Sequence, residues 1–165
     1  MTVDPRILTP PNRPGALALI LEVGLIAGTL DITDALVFSH LRGITPTMVF
    51  QYIASGLIGR QAFQLDGTSV ALGVALHYAI ALSWTGIFYV ASRKFPILRR
   101  RPVVSGAVYG CVVYLFMNWV VLPLSSVPRP VKAMPWASRI NGVLAVVLFI
   151  GLTISLLIRR SSPAV

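Results

Sequence analysis

Three stretches of this chain, residues 70–92, 103–122 and 140–158, contain no Asp, Glu, Lys or Arg. Each is long enough, at ~1.5 Å per residue, to cross a hydrocarbon layer ~30 Å thick as a helix. Lipid offers no water to satisfy backbone polar groups, so such segments must close their hydrogen bonds internally. A fourth apolar segment, residues 16–38, differs from the others. It holds Glu22, Asp31 and Asp34, three of the five acidic residues in the chain. Ionisable groups inside a span are costly and are functional candidates by default.

Composition places the chain in the same class. Hydrophobic residues make up 56% and charged residues 12% of the sequence, which leaves too little polar surface for a soluble domain. The chain reads as all-α and polytopic, with four transmembrane helices and one outer interfacial or re-entrant helix. Residues 1–15 are expected as a flexible cytoplasmic tail, 16–160 as a single transmembrane domain and 161–165 as a second cytoplasmic tail. The first apolar stretch is too long and too acidic for a signal peptide and is expected in the mature protein. A net charge of +9 sits in the short connections between spans. Its expected partner is therefore the lipid bilayer rather than nucleic acid. Cys111 is the only cysteine, which excludes an intramolecular disulfide.

Orientation follows from the bases. With four alternating spans, Arg6, Arg13, Arg93, Lys94, Arg99, Arg100, Arg101, Arg159 and Arg160 share one side, and Arg42, Arg60, Arg129, Lys132 and Arg139 share the other. Nine against five places both termini in the cytoplasm. Arg93, Lys94, Arg99, Arg100 and Arg101 dominate the count as a topology determinant, and they can also contact anionic lipid head groups.

The two outer connections differ in kind. Thr45-Pro46 is a helix-start signal, and the following TMVFQYIASGLIGRQAF is too short and polar to span. It is expected to lie in or dip into the outer interface, with Val49, Phe50, Tyr52, Ile53, Leu57 and Ile58 as its apolar surface. The last loop is proline-rich and is expected as an extended cap anchored by Trp136.

Helical rise places Asp31, Asp34, His77 and Asn118 at roughly 6–10 Å below the outer boundary, with Asn141 close to it. Residues three and four apart share a helix side. Gly24, Ala27, Gly28, Asp31, Asp34 and Ala35 form one stripe on the first span. Gly73, His77, Ala81 and Trp84 form another on the second, and Ala107, Cys111, Tyr114 and Asn118 a third. Glu22 points the opposite way, with Ile26, Thr29 and Thr33. Either it snorkels to the inner interface or this face meets another subunit. Insertion gains of ~0.3–0.6 kcal/mol per strongly apolar residue nearly cancel ~2.5–3.5 kcal/mol per central acid. The first span therefore needs polar partners, and either protonation of Asp31 or pairing with His77 relieves much of the penalty.

Asp31, Asp34, His77, Tyr114 and Asn118 form the candidate polar cluster. A carboxylate pair with one imidazole can relay a proton or bind a cation. The same groups can instead join the helices by hydrogen bonds. Two histidines are too few for haem, zinc or di-iron chemistry, so no metal or other cofactor is expected. Asp31-Ile-Thr-Asp34-Ala is similar to the opening of the CDP-alcohol phosphatidyltransferase motif, but the later Gly, Ala-Arg and second aspartate pair are missing. No catalytic triad, phosphate loop or nucleotide fingerprint occurs.

AGTLDITDA (27–35), RGITP (42–46), YIASGLIG (52–59), GVALHYAIA (73–81) and YLFMNWVVLPLS (114–125) resemble segments of small bacterial four-helix membrane proteins of the YagU-like group. The resemblance implies a location in the bacterial inner membrane and transfers no functional residue. The function read from the sequence is a non-enzymatic membrane protein whose polar cluster serves helix assembly or proton or cation binding. The alternatives are an accessory subunit of a larger membrane complex and an intramembrane lipid-modifying enzyme. A homo-oligomer or a membrane-complex partner is a further expectation.

Overall fold

A computed structural model describes residues 15–128 and 135–161. The expectations for the N-terminal tail, for Arg129 and Lys132, and for residues 162–165 fall outside the described residues. The described chain is helical, without strands. It runs through α1 (Ala16–His40), α2 (Pro46–Ile58), a 3₁₀ turn (Gly59–Phe63), α3 (Asp66–Lys94), α4 (Ile97–Arg100), α5 (Pro102–Leu124) and α6 (Trp136–Arg160). Among these, α1, α3, α5 and α6 are long and apolar enough to cross a membrane.

Local signals set the ends. Thr45 caps α2 by accepting a bond from the Met48 N–H, and Pro46 occupies its first turn. Gly59, at φ +63°, stops α2, and Gly43, at φ +77°, turns the chain out of α1. Pro102 opens α5 where no intrahelical N–H is needed.

The four long helices alternate in direction. One end carries Arg93, Lys94, Arg99, Arg100, Arg101, Arg159 and Arg160; the other carries α2 with Arg42, Arg60 and Arg139. At the α2 end, Arg42 donates to the Ser138 hydroxyl and ties the α1–α2 turn to the start of α6. Arg139 stacks over the exposed Trp136 ring, 5.4 Å from its centroid.

Lipid is as apolar as a side-chain core, so close backbone approach must hold these helices together. On α1, a Cβ on Gly24 would lie 2.6 Å from Leu82 Cδ2, and one on Gly28 would lie 3.0 Å from Ala81 Cβ. A Cβ on Gly151 of α6 would lie 2.2 Å from the Gly106 carbonyl of α5 and 2.8 Å from Gly110 Cα. Only glycine permits that contact. It also corrects the expected third stripe. The buried line of α5 runs through Gly106, Gly110 and Val113, and Cys111 is exposed, because the glycine ridge lets α6 approach more closely.

Packing is uneven along the bundle. Toward the basic end, Leu19, Val23, Ala27, Phe88, Ile154 and Ile158 form a dense core with Val113 and Ile150. Phe88, Tyr109, Trp84 and Phe116 continue it as edge-to-face aromatic pairs, with centroids 4.9 to 6.1 Å apart. Ser155 is buried and donates to the Pro102 carbonyl at 2.8 Å. Toward the α2 end the interior opens.

Candidate functional site

A cavity of about 320 Å³ occupies the α2 half of the bundle. Four of the five residues of the expected polar cluster, Asp31, His77, Tyr114 and Asn118, are on its wall. Asp34 is not. Its carboxylate accepts a bond from Asn141 Nδ2 at 2.8 Å, which joins α1 to α6. The two aspartates, three residues apart on one helix, thus meet different neighbours.

The cavity is tiered. Its polar level is set by the α1–α3 crossing, where Gly28 packs on Ala81 and Tyr78 and so brings His77 beside the turn that carries Asp31. His77 Nε2 donates to the Gly28 carbonyl at 2.8 Å. A carbonyl only accepts, so Nε2 carries a proton, and Nδ1 is the ring nitrogen left uncommitted by this bond. Pairing of Asp31 with His77 was one of the two expected reliefs, yet the histidine's bond goes to the backbone. The Asp31 carboxylate makes no hydrogen bond among the described residues, although it lies within electrostatic reach of His77 and Asp34. The reason is geometric. The close α1–α3 contact at Gly28 leaves its carbonyl nearer the imidazole than the carboxylate one turn on.

Below the polar level the wall is apolar, formed by Ile80, Ala81 and Trp84 of α3, Val113 and Met117 of α5, and Val146 and Ile150 of α6. The Tyr109 hydroxyl donates to the Trp84 carbonyl at 2.6 Å and ties α5 to α3. Above, α2 supplies the roof with Tyr52, Ile53 and Gly56. The side of α2 that meets the bundle is small or polar (Gln51, Ala54, Ser55), whereas Met48, Tyr52 and Leu57 are exposed. A Cβ on Gly73 would lie 2.1 Å from the Phe50 carbonyl, so α2 rests directly on the α3 backbone. The Ser126 N–H donates to the Gly56 carbonyl at 2.9 Å and pins the roof to the chain leaving α5. Although Tyr52 as a whole is 41% exposed, desolvation on the cavity side pushes its phenol above the ordinary value of 10.0.

Two π-helical segments border the cavity, Met117–Val121 in α5 and Val146–Leu152 in α6. Widened turns of this kind recur at functional sites. In α5 the cause is legible. Pro123 has no N–H for the Trp119 carbonyl and its ring crowds that carbonyl, so the turn before it widens. Asn118 Nδ2 donates to the Tyr114 carbonyl at 2.9 Å where the pitch changes. In α6 the Thr153 hydroxyl donates to the Leu148 carbonyl at 3.2 Å, and the widened backbone carries Gly151 onto α5. Sequence reasoning missed the roof residues and both widened turns. Pro123 was the available signal for the first, and no single residue signals the second.

Glu22 is exposed on the face of α1 opposite this interior, with Ile26, Thr29 and Thr33 also exposed. Thr29 nevertheless shares a hydrogen bond with the Tyr78 hydroxyl at 3.0 Å. Among the described residues, no group of three His, Cys, Asp or Glu side chains converges as a metal site. No family model, curated protein or solved structure matches the chain.

Proposed function

We propose that this chain is a non-enzymatic, multi-pass protein of a bacterial inner membrane that binds a proton or a cation at Asp31. The observation that carries the reading is the difference between the two aspartates. Asp34 is bonded to Asn141, whereas Asp31 stands on a cavity wall beside His77 with no hydrogen bond among the described residues. A carboxylate in a poorly solvated cavity needs a compensating positive charge. The orientation in the proposal puts both termini in the cytoplasm, supported by seven bases at one end of the described bundle against three at the other. The cavity then belongs to the outer leaflet. A fluorescent reporter active only in the cytoplasm, fused after Val165, should be bright; a dark fusion with an active periplasmic reporter there overturns the orientation.

Asp31→Asn tests the binding itself, since Asn keeps the shape and most of the hydrogen bonding but not the charge. The full chain in nanodiscs is titrated with protons and with inorganic and organic cations. A ligand that binds only the folded state stabilises it, by about 2.7 kcal/mol at a concentration of 100 Kd, and so raises the unfolding midpoint. The wild type should respond and Asp31→Asn should not. An equal response in both proteins, or none in either, overturns the reading.

A second reading, helix assembly, is favoured by the Asp34–Asn141 bond and by the bond from His77 to the Gly28 carbonyl. The two readings divide the cluster between them, Asp34 serving assembly and Asp31 serving binding. The proposal also sets a second copy of the chain against the exposed Glu22 face, where a carboxylate in contact with lipid is costly. Cysteine at Ile26 in a Cys111→Ser background should then cross-link two subunits. A persistent monomer, by cross-linking and by mass in lipid, favours snorkelling of Glu22 instead.

A further inference from the structure

Resting on the cation reading, we infer that the cavity takes a small lipophilic amine, with its ammonium on Asp31 and its apolar body against Trp84, Val113 and Ile150. Size is the first argument. At about 320 Å³ the cavity falls at the lower edge of the ~300–1,000 Å³ range of small-molecule sites. With ~30 Å³ per water in the liquid, it accommodates on the order of ten non-hydrogen atoms. A diacyl lipid does not fit, and a bare inorganic ion leaves most of the space unused.

The chemistry of the wall is the second argument. A hard cation such as sodium or calcium asks for a shell of oxygen ligands, about six to eight for calcium. The cavity offers one carboxylate and the neutral oxygens of Tyr52, Tyr114, Asn118 and Ser125, spread over three elements, and the lower tier offers none. The lining contains no Lys or Arg, so an anionic ligand lacks a counter-charge. What the polar level presents is one charged acceptor, the Asp31 carboxylate, with the Asn118 amide oxygen and the Tyr52 and Tyr114 hydroxyls on the same wall, while His77 Nε2 is committed to Gly28. An alkylammonium supplies three donors and the positive charge together. Its hydrocarbon part gains about 25 cal/mol per Å² of apolar area removed from water.

The third argument is placement. The polar groups sit at one level and the apolar groups at the other, so a ligand with one charged end has a single orientation. Charge on the roof side and hydrocarbon toward the packed core is the only arrangement that pairs both.

The test uses the full chain in nanodiscs and three probes: 2-phenylethylammonium, its uncharged isostere 2-phenylethanol, and sodium or potassium chloride at matched ionic strength. Binding is read from quenching of tryptophan fluorescence, with Trp84 on the wall, and from the shift in unfolding midpoint. The expected result is saturable binding of the amine at least tenfold tighter than the alcohol, weakened at least tenfold by Asp31→Asn and unchanged by Glu22→Gln. The comparison of amine with alcohol needs only the wild type, so it stands even where Asp31→Asn fails to fold. A response to protons, sodium or potassium that depends on Asp31, with no response to the amine, overturns this inference and leaves the cation reading intact. Equal affinity for amine and alcohol overturns this inference alone, and no binding of any probe or proton overturns both. Loss of amine binding when phosphatidylethanolamine replaces phosphatidylcholine in the nanodisc overturns the size argument and the inference with it.

Discussion

Gly73 offers the most direct test of how the cavity is built. An added Cβ there meets the Phe50 carbonyl oxygen at 2.1 Å, its carbon at 2.8 Å and the Phe50 Cα at 3.0 Å. All three are backbone atoms of α2, so no side chain can swing aside. Restoring an ordinary contact requires α2 and α3 to separate by about 1.3 Å, a gap wide enough to forfeit more than a quarter of the dispersion energy at the crossing. Overpacking of this kind costs ~1–3 kcal/mol, and the rigid partners place Gly73→Ala in the upper part of that range. About 2 kcal/mol is a factor of about 30 in the unfolding equilibrium. The displacement also lifts Tyr52, Ile53 and Gly56, which form the roof. Gly86 is the internal control, on the same helix with nothing within 4 Å of an added Cβ. Alanine there removes a flexible residue from a helix, which stabilises by roughly 0.5–1 kcal/mol in soluble hosts. Thermal unfolding in nanodiscs should therefore fall for Gly73→Ala and hold or rise for Gly86→Ala. Cysteine at Ile80, in a Cys111→Ser background, should react faster with a polar maleimide when Gly73→Ala is added. Equal stability of the two alanine variants, with unchanged cysteine reactivity, refutes the account of α2 as a roof seated on α3.

Asn141→Ala removes the 2.8 Å bond to Asp34 and should cost ~0.6–1.7 kcal/mol, the range for interhelical bonds in membranes, read as a lower unfolding midpoint with unchanged cavity binding. Thr45→Ala removes the cap that accepts from the Met48 N–H and should cost ~1 kcal/mol, with faster hydrogen exchange at the first turn of α2 and not at α1. Gly151→Ala drives a methyl group to within 2.2 Å of the Gly106 carbonyl and should separate α5 from α6 at a cost of ~1–3 kcal/mol, detected as a lower unfolding midpoint.

The four apolar helices, the start of α2 at Thr45-Pro46 and the distribution of bases are legible along the chain, because each follows from local composition and from the rule that backbone in lipid must satisfy itself. Helical rise also put Asp31, Asp34, His77 and Asn118 near one depth, and helical angle put Tyr114 on the same stripe as Asn118, since rise and angle per residue are fixed properties of the helix. Neither could say which neighbour each group meets. Asp34 found Asn141, His77 found the Gly28 carbonyl, and Asp31 was left on the cavity wall. Those outcomes depend on where the helices cross, and the crossings are set by glycines in contact with glycines and backbone far away in the chain: Gly73 with Phe50, and Gly151 with Gly106 and Gly110. The same contacts turned Cys111 outward and moved the buried line of α5 onto its glycines. The cavity exists because the basic half packs densely while α2 bridges the other half at its rim, a difference in filling between the two halves of one bundle that only the tertiary structure expresses.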